Sequence, residues 1–409
     1  MRVISALLIA AASAEGQTDL SMPNEPVGHH FEIAPEDLPE TFATESGANS
    51  GRLDPIPDPP VLNLPEGFAV NLFAEGFDNA RWLAVAPSGD VFLAETRPGR
   101  IVALRDADGD GVADAERTYW SGLRGPTGMA FRDGELWVAD LYGVWRFRYR
   151  AGDLQARERP AMATPPGALG DPGGHWTRTL AFAPDGAGFY VAIGSHSNVA
   201  EEEAPRATVQ AFAMDGSGQA TFASGLRNPV GIAFHPETGE LYVTVIERDG
   251  YGENLVPDYM TRIREGEFFG WPYAYAGGIP DPDYGDEAPE LVERTVLPDV
   301  MIQSHSAPLG LVFYDAGQFP EEYRGDAFVA LHGSWNRRVP TGYKIVRIRF
   351  EDGRPAGGYE NFATGFWFAG ERKARLYGRP VGLAVAQDGS LLVADDAADV
   401  IWRIAYTGP

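Results

Sequence analysis

The sequence of 409 residues contains no cysteine, and its 58 acidic and 33 basic residues give a formal net charge of −25. Without cysteine the chain cannot build zinc–thiolate sites, iron–sulfur clusters, cysteine nucleophiles or covalently attached c-type haem. The negative charge argues against nucleic acid as a partner, and the 49 glycines and 32 prolines favour short strands joined by tight turns.

The N-terminus has the features of an export sequence. A positive charge at Arg2 precedes the apolar run 3–12, and small residues occupy 12–14. This pattern predicts a secretory signal peptide over residues 1–14, with a disordered tail as the alternative, and hence a periplasmic or secreted protein. Residues 15–63 lack periodicity, which predicts a linker or extended arm. No later segment has the ~20 consecutive apolar residues of a membrane span.

Residues 64–409 carry a repeat. Each copy has a polar residue or proline, a short apolar strand, a turn with Asp or Gly, and a second apolar strand. The first strands of six successive copies begin at Arg81, Pro126, Arg178, Pro229, Pro308 and Pro380. Six ordered copies argue against a β-sandwich with chance similarity and predict an all-β, six-bladed β-propeller with four-stranded blades. The strand around Phe73 has no preceding blade, so we expect it to pair with residues 400–404 and close the ring.

The residues just before each first strand are expected to gather at one mouth of the central channel. Small residues in most first strands suit strands crowded around a narrow channel. The six mouth positions are Asp78, Arg124, His175, Arg227, Ser306 and Gly378, with Asn228 and Arg379 one place later in their copies. A neutral histidine beside guanidinium groups can act as a general base. The arginines indicate a ligand with several negative charges, although any single one of them could equally form a surface salt bridge.

Two further segments combine polar groups with aromatic ones. The first runs from Glu247 to Leu255 and leads to Phe268–Tyr273, within a long insertion that we expect to overhang one face. The second is His332–Arg337, followed by Lys344. Such segments suit a sugar and a planar cofactor, whereas ordinary loop packing is the alternative for Trp271 and Trp335 in them.

An acidic loop has the aspartate spacing of a calcium site. Asp106, Asp108 and Asp110 alternate with small residues, but Arg117 stands where such a loop has its chelating glutamate. The pattern fits a calcium-stapled hairpin and a plain acidic turn equally well.

Several of these segments resemble one enzyme family. The run 174–186, which contains His175, resembles the catalytic-histidine blade of soluble PQQ-dependent sugar dehydrogenases. The run 225–231 resembles their Arg-Asn motif, and 269–272 their Gly-Trp-Pro. Segments 247–259 and 332–337 look most like the sorbosone dehydrogenase branch of that family. The resemblance covers residues 64–406.

The resemblance implies a mechanism. His175 would take the proton of the anomeric hydroxyl while hydride passes from C1 to the quinone, and Arg227 would steady the charge that develops on the quinone oxygen. The residues that it implies for cofactor binding are Arg227, Asn228, Arg248, His332, Arg337, Lys344 and Arg379. Backbone carbonyls of Arg248 and Asp249 would hold a calcium ion.

The sequence also departs from the family pattern. Glucose-oxidising members place an aspartate after Ile-Gly, paired with the base, whereas here Ser195 follows. A second family arginine falls on Val381, so cofactor anchoring must differ. Without cysteine there is no fused c-type cytochrome, and electrons must leave to a separate acceptor.

Two other functions compete with a sugar dehydrogenase. A calcium-dependent lactonase would need carboxylates and an amide around a metal, and Glu95, Asp140, Asp395 and Asn228 are candidates. The basic character of the channel mouth weighs against it, because arginines repel a central cation. A non-catalytic propeller that binds a protein partner leaves the convergence of arginine and histidine unexplained. Substrate choice is expected to depend on residues 247–306.

Overall fold

A computed structural model describes residues 26–408, so the predicted signal peptide at 1–14 lies outside the described residues. In the described part the helical elements are one turn or so long: Pro35–Asp37, Pro289–Glu293 and Glu321–Tyr323. No helix between residues 26 and 408 has the length and apolar character needed to cross a membrane. Strands dominate the remainder, which confirms the all-β prediction.

Most strands form six sheets, numbered here in chain order and given from first to last strand. Sheet 1 contains Ala80–Val85, Val91–Glu95, Arg100–Arg105 and Ala115–Ser121. Sheet 2 contains Gly128–Arg132, Glu135–Ala139, Val144–Arg148 and Ala161–Met162. Sheet 3 contains Arg178–Phe182, Gly188–Ile193, Thr208–Ala213, Ala220–Ser224 and Glu267–Phe268.

The other three large sheets include both ends of the described chain. Sheet 4 contains Asn228–Phe234, Leu241–Ile246, Asp258–Ile263 and Val300–Ile302. Sheet 5 contains Pro308–Phe313, Ala327–Leu331, Lys344–Ile348, Tyr359–Ala363 and His30–Phe31. Sheet 6 contains Pro380–Val385, Leu391–Asp395, Val400–Tyr406 and Phe68–Glu75. Shorter strands are Arg52–Leu53, Ala274–Tyr275, Ile279–Pro280, Phe350–Glu351, Arg354–Pro355, Trp367–Ala369 and Arg375–Leu376.

The first strands of the six sheets contact one another in chain order, and the first strand of sheet 6 contacts that of sheet 1. Glycines allow this close approach. A Cβ added to Gly128 would lie 2.6 Å from the Cα of Thr179, and one added to Gly310 would lie 2.3 Å from the carbonyl oxygen of Val381. A Cβ on Gly382 would lie 2.9 Å from the Cα of Trp82. The arrangement is propeller-like, and these small residues allow the first strands to pack without side chains between them.

Gly310→Ala is therefore expected to lower the free energy of unfolding by about 1–3 kcal/mol, because a methyl group placed against neighbouring backbone forces a shift of the strands. Denaturant unfolding followed by tryptophan fluorescence measures the change. Gly317→Ala is the control, since its Cβ would have no atom within 4 Å. Equal stability of the two variants would show that a methyl group at residue 310 fits between the first strands without displacing them.

The strand Phe68–Glu75 pairs antiparallel with the last strand, Val400–Tyr406, and Glu75 lies opposite Val400. Sheet 6 is thus built from the start and the end of the repeat region. The related segments around Phe222 and Phe362 lie in the fourth strands of sheets 3 and 5, where the sequence places an outer strand.

Residues 26–63, the arm, run across other elements in an extended form. His30 and Phe31 pair with Glu360 and Tyr359 at the edge of sheet 5. Arg52–Leu53 pairs in parallel with Arg375–Leu376. Between these two points the backbone N–H of Phe42 donates to Tyr251, and that of Asn49 donates to Trp335. The arm therefore rests on the two segments that the sequence singles out.

Aromatic side chains fill the spaces between neighbouring sheets. Between sheets 1 and 2 the ring of Phe92 packs edge-on against Tyr119 and Phe131, with centroids 4.9 and 5.0 Å apart. Between sheets 5 and 6 Phe362 and Trp402 lie in one buried cluster. Full burial of each such ring contributes about 1.5–3 kcal/mol to folding. Because the rings lie between neighbouring sheets, each of these two pairs of sheets has a hydrophobic core of its own.

Candidate active site

His175 lies just before the first strand of sheet 3, and its ring contacts the turn after the second strand. Nδ1 is 2.9 Å from the carbonyl oxygen of Ser195 and 3.0 Å from its Oγ. That hydroxyl donates its own proton to the carbonyl oxygen of Ser197, at 2.6 Å. Both oxygens therefore accept from Nδ1–H, which places the ring proton on Nδ1 and leaves the lone pair on Nε2.

The surroundings of His175 disfavour a second ring proton. Burial, together with the positive charges of Arg227 and Arg206, lowers the pKa of His175 to about 3, against the opposing hydrogen bond to Ser195. The ring is therefore neutral at pH 7. A neutral imidazole with a fixed tautomer can accept a proton at Nε2.

Arg227 is held rigidly beside this histidine. Its Nε donates to the carbonyl oxygen of Asn198 at 3.0 Å, and one terminal nitrogen donates to that of Glu247 at 2.7 Å. The other terminal nitrogen donates to Oδ1 of Asn198 at 2.8 Å and lies 3.7 Å from the carboxylate of Asp249. Burial lowers the pKa of Arg227, yet the group remains a cation at neutral pH.

Asn228 and His175 meet across Gly194. A Cβ added to Gly194 would lie 2.4 Å from Oδ1 of Asn228 and 2.6 Å from Cβ of His175, so only glycine lets these side chains approach. Oδ1 of Asn228 is buried and has no hydrogen-bond partner among residues 26–408. The structure thus brings the predicted His175, Arg227 and Asn228 together, with one acceptor atom available.

Asn198 is a site residue that the sequence analysis missed. Besides binding Arg227, its side-chain nitrogen donates to the carbonyl oxygen of Asp249 at 2.8 Å, and its Oδ1 accepts from the backbone N–H of Asp249 at 2.9 Å. Its carbonyl oxygen also accepts from Nε1 of Trp271, at 3.0 Å. Asn198 joins sheet 3 to two connections between strands of sheet 4, and Trp271, which lies in the second of them, is a buried packing residue.

Asp249 is held from the other side by His305. Nδ1 of His305 is 3.2 Å from the Asp249 carboxylate, and its Nε2 is 2.9 Å from the carbonyl oxygen of Gly252. Burial opposes charge on both groups, but the contact outweighs it: the pKa of His305 is raised and that of Asp249 is lowered. The pair therefore favours an ionised arrangement next to Arg227.

A second polar group lies across the mouth and centres on Asp396. Its carboxylate is 2.7 Å from Nε2 of His332 and forms a salt bridge with Arg81. The guanidinium of Arg81 in turn lies over the ring of Trp176, 4.7 Å from its centroid. Arg379 donates to the carbonyl oxygens of His332 and Gly333, at 3.0 and 2.8 Å. Arg81 and Asp396 therefore link the predicted residues His332 and Arg379 to Trp176, which follows His175 in the sequence.

The charges in this second group are unequal. Burial and the nearby Arg379 lower the pKa of His332 to about 4, so its ring is neutral at pH 7. His332 and Arg81 hold the pKa of Asp396 well below its usual range despite burial. The group therefore carries two guanidinium charges against one carboxylate and favours a negatively charged ligand.

The remaining predicted cofactor residues lie in two different environments. A terminal nitrogen of Arg337 donates to Oδ1 of Asn254 at 2.9 Å, which places it between the two loops under the arm. Nζ of Lys344 lies 3.4 Å from Oε1 of Gln303 and 4.3 Å from the centroid of Phe31. Lys344 is thus buried beneath the arm, whereas Trp335 is 54% exposed.

Arg248, one of the predicted cofactor residues, has its side chain engaged within the protein, and its part in cofactor binding stays a prediction. Its guanidinium is fully buried and forms salt bridges with Glu247 at 3.0 Å and with Asp281 at 2.6 Å. It also donates to the carbonyl oxygens of Pro272 and Ala274, at 3.0 and 2.7 Å. These contacts satisfy the guanidinium within the insertion, so the side chain folds that insertion. These contacts involve only the side chain, so calcium binding by the backbone carbonyls of Arg248 and Asp249 stays a prediction.

In the acidic loop, the three aspartates that lie close together are not the three that the sequence predicted. Carboxylate oxygens of Asp106, Asp108 and Asp114 lie within 4.8 Å of one another, whereas Asp110 accepts from the backbone N–H of Val112. Asp106 likewise accepts from two backbone N–H groups of its own turn. A capped acidic turn accounts for these contacts, and calcium binding there stays a prediction.

The carboxylates expected for a lactonase cap turns instead. Glu95 accepts from the backbone of Asp78 and pairs with Arg100. The equivalent Asp140 and Asp395 accept backbone N–H groups in the same place of their sheets. Within residues 26–408, the trio in the acidic loop is the one set of three or more acidic or histidine side chains close enough to share a metal ion. Glu95, Asp140 and Asp395 are therefore each engaged by contacts within their own sheets.

Comparison of the sequence with those of curated proteins finds a relative of part of this chain. An uncharacterised protein of Borreliella burgdorferi is 36% identical over 219 residues, and the match covers 53% of this chain and 56% of that protein. The chain thus matches little more than half the length of this curated relative.

Solved structures share the fold at low identity. The PQQ domain of pyranose dehydrogenase from Coprinopsis cinerea superposes with a TM-score of 0.71 at 19% identity, covering 88% of this chain and 100% of that one. A Trichoderma reesei enzyme of carbohydrate-active family AA12 gives 0.72 at 19% identity, covering 85% and 98%. PQQ-bound aldose sugar dehydrogenase from Streptomyces coelicolor gives 0.60 at 17%, covering 84% and 99%.

One family model matches most of the repeat region. Residues 62–255 and 287–407 match the model described as TrAA12-like, and the gap between the two stretches falls in the insertion. The match includes both polar groups at the mouth. The chain therefore belongs to the TrAA12-like family.

Proposed function

We propose that the protein is a PQQ-dependent dehydrogenase that oxidises a sugar, or a related aldose or osone, at C1. The observation that carries the proposal is the neutral His175, with its proton fixed on Nδ1 and Arg227 beside it. The fold shared with the PQQ domain of a pyranose dehydrogenase and with a PQQ-bound aldose sugar dehydrogenase supports it. In this proposal the six sheets are the blades of a propeller that sheet 6 closes.

The residues present fit PQQ, a planar quinone with three carboxylates. Oδ1 of Asn228 is a buried acceptor without a partner among the described residues, which suits the pyrrole N–H of PQQ, and the guanidinium groups of Arg227 and Arg379, fixed by hydrogen bonds to backbone carbonyls, suit its carboxylates. Arg227, Asn228, Arg379 and Arg337 would hold the cofactor. The carbonyl oxygen of Asp249 accepts one hydrogen bond from Asn198 and keeps a second lone pair for a calcium ion.

When bound, the quinone supplies an acceptor for the hydride that leaves C1 of the sugar. His175 accepts the hydroxyl proton at Nε2 as the C1–O bond becomes a double bond. The imidazolium formed is stabilised through Nδ1–H by the two oxygens of Ser195, which carry no full charge. The Arg227 cation stabilises negative charge that develops beside it. A separate cytochrome or quinone would take the electrons onward.

We expect the rate to stay constant as pH falls from 8 to 5, because His175 loses its role as base only when it is protonated, near its pKa of about 3. An unperturbed histidine would lose activity below about pH 6.5. Ser195→Asp places a carboxylate beside Nδ1, which raises the pKa of His175 and moves the acidic limb of kcat/KM upward by about 1–3 pH units. Ser195→Ala, which retains the backbone acceptor, is the control. A wild-type acidic limb near pH 6.5 would contradict this assignment.

Reconstitution tests the function directly. Purified protein is mixed with PQQ and calcium, and the absorbance of the bound quinone is followed as aldoses and osones are added with an artificial electron acceptor. Stoichiometric binding followed by sugar-dependent reduction supports the proposal, and preferential oxidation of sorbosone would place the chain in the branch that its sequence resembles. Absence of binding in the presence of calcium would overturn it.

Export forms part of the same proposal. Residues 1–14 would direct the protein to the periplasm or the medium, where sugars and external acceptors are available, and would be cleaved off during export. N-terminal sequencing of the protein recovered from each cell fraction tests this, and an intact Met1 in the cytoplasmic fraction would contradict it.

A further inference from the structure

Arg178 is a buried cation next to His175 that the proposed reaction does not use. No part of its side chain is exposed. One terminal nitrogen donates to the carbonyl oxygens of His175 and Thr177, at 2.9 and 3.0 Å. Its Nε and its other terminal nitrogen are buried and have no hydrogen-bond partner among the described residues. Two guanidinium nitrogens, which together carry three N–H groups, thus have no acceptor among the described residues.

Within residues 26–408, no carboxylate forms a salt bridge with Arg178. Burial and the positive charge of Arg206 lower the pKa of Arg178 to about 9, and no acidic group opposes these effects. Arg206 donates to the carbonyl oxygen of Gly173, in the turn that leads to His175, and its other terminal nitrogen is also buried without a partner. Glu202 and Asp171 act on Arg206 but not on Arg178. Two guanidinium groups therefore present unused donors around one turn, in a chain of net charge −25.

We propose that Arg178 and Arg206 hold a small inorganic monoanion of the size of chloride. An unpaired buried charge is strongly unfavourable, and an anion supplies both the missing acceptor and the missing charge. Because Arg178 is fully enclosed, a carboxylate of an organic ligand does not reach it, and a small ion enters only when neighbouring groups move apart to make room for it. The inference does not depend on the proposed function. It does bear on that function, because the anion would offset part of the positive field at His175.

Thermal unfolding of the full chain tests the site. Sodium chloride is titrated against sodium gluconate at constant ionic strength, so that screening does not change. A ligand that binds only the folded protein stabilises it in a saturable way, and we expect Tm to rise by roughly 2 °C or more. Arg178→Met should remove this rise. In gluconate alone the variant should be more stable than the wild type, because the unpaired charge is gone.

Two further measurements distinguish an ion bound at Arg178 from other causes of the chloride effect. Arg159→Met removes an exposed guanidinium and should keep the full chloride effect. Bromide soaked into crystals of the wild type should give an anomalous peak within hydrogen-bond distance of Nε of Arg178, a result that does not depend on whether the variant folds. A Tm independent of chloride, a rise that Arg178→Met retains, or crystals without such a peak would each overturn the proposal and assign the unused donors to water.

Discussion

His175→Ala lowers the rate of sugar oxidation by about 10²–10⁴-fold while the protein still binds PQQ, the range expected when a positioned general base is removed. The histidine contacts Ser195 through Nδ1 only, so its loss removes the lone pair at Nε2 without breaking another ring contact. Stopped-flow reduction of the bound quinone by a saturating sugar measures the loss, and a titration of PQQ absorbance measures binding.

A neighbouring histidine provides the control. His196 is exposed in the adjoining turn, and its backbone N–H donates to Glu202 at 2.7 Å. His196→Ala should therefore keep its rate, because that backbone contact does not involve the ring. A near-normal rate for His175→Ala, or the same loss in both variants, would refute the role of His175 as base.

Asp396→Asn is expected to lower the free energy of unfolding by about 3–5 kcal/mol, the cost of leaving a buried cation without its partner. The carboxylate is one-tenth exposed, and it is the acidic partner of Arg81 and His332 in this group. Arg81 also lies over Trp176, so PQQ affinity should fall together with stability. Urea unfolding and PQQ titration measure the two effects.

Asp388→Asn serves as the matched control for this change. Asp388 also pairs with an arginine, Arg403, but its side chain is 47% exposed. An exposed pair contributes about 0–1 kcal/mol, because water and salt screen it. If both variants lost equal stability, burial of the Asp396 group would have no energetic consequence, and the link between Trp176 and His332 would be incidental.

The repeat predicted the parts of the site that depend on position in a sheet. His175, Arg227 and Asn228 precede or begin the first strands of neighbouring sheets, and equivalent positions of packed sheets must lie close together. The glycines predicted from crowding, such as Gly310 and Gly382, do face neighbouring backbone. Periodicity records burial and register, so these features can be obtained from the sequence alone.

Contacts that depend on side-chain direction could not be obtained in this way. Arg248 lies within a predicted ligand segment, but its partner Asp281 is 33 residues along the chain, within an insertion that has no repeat. Asp395 and Asp396 are adjacent, yet the first caps a turn and the second binds Arg81 and His332. Asn198 lies in the connection between the second and third strands of sheet 3, outside the repeated strands. A polar residue's type gives its chemistry, whereas its partner depends on where distant loops pack.

Sheet 6 also has a consequence for the biosynthesis of the protein. The strand Phe68–Glu75 has its partner in Val400–Tyr406, which is synthesised after all the other strands of the six sheets. Sheet 6 can therefore be completed only after synthesis has passed residue 406, because no earlier segment occupies that edge. In the export proposed above, the last folding step would wait until both ends of the repeat region are on the same side of the membrane, and sheet 6 would not be completed in the cytoplasm.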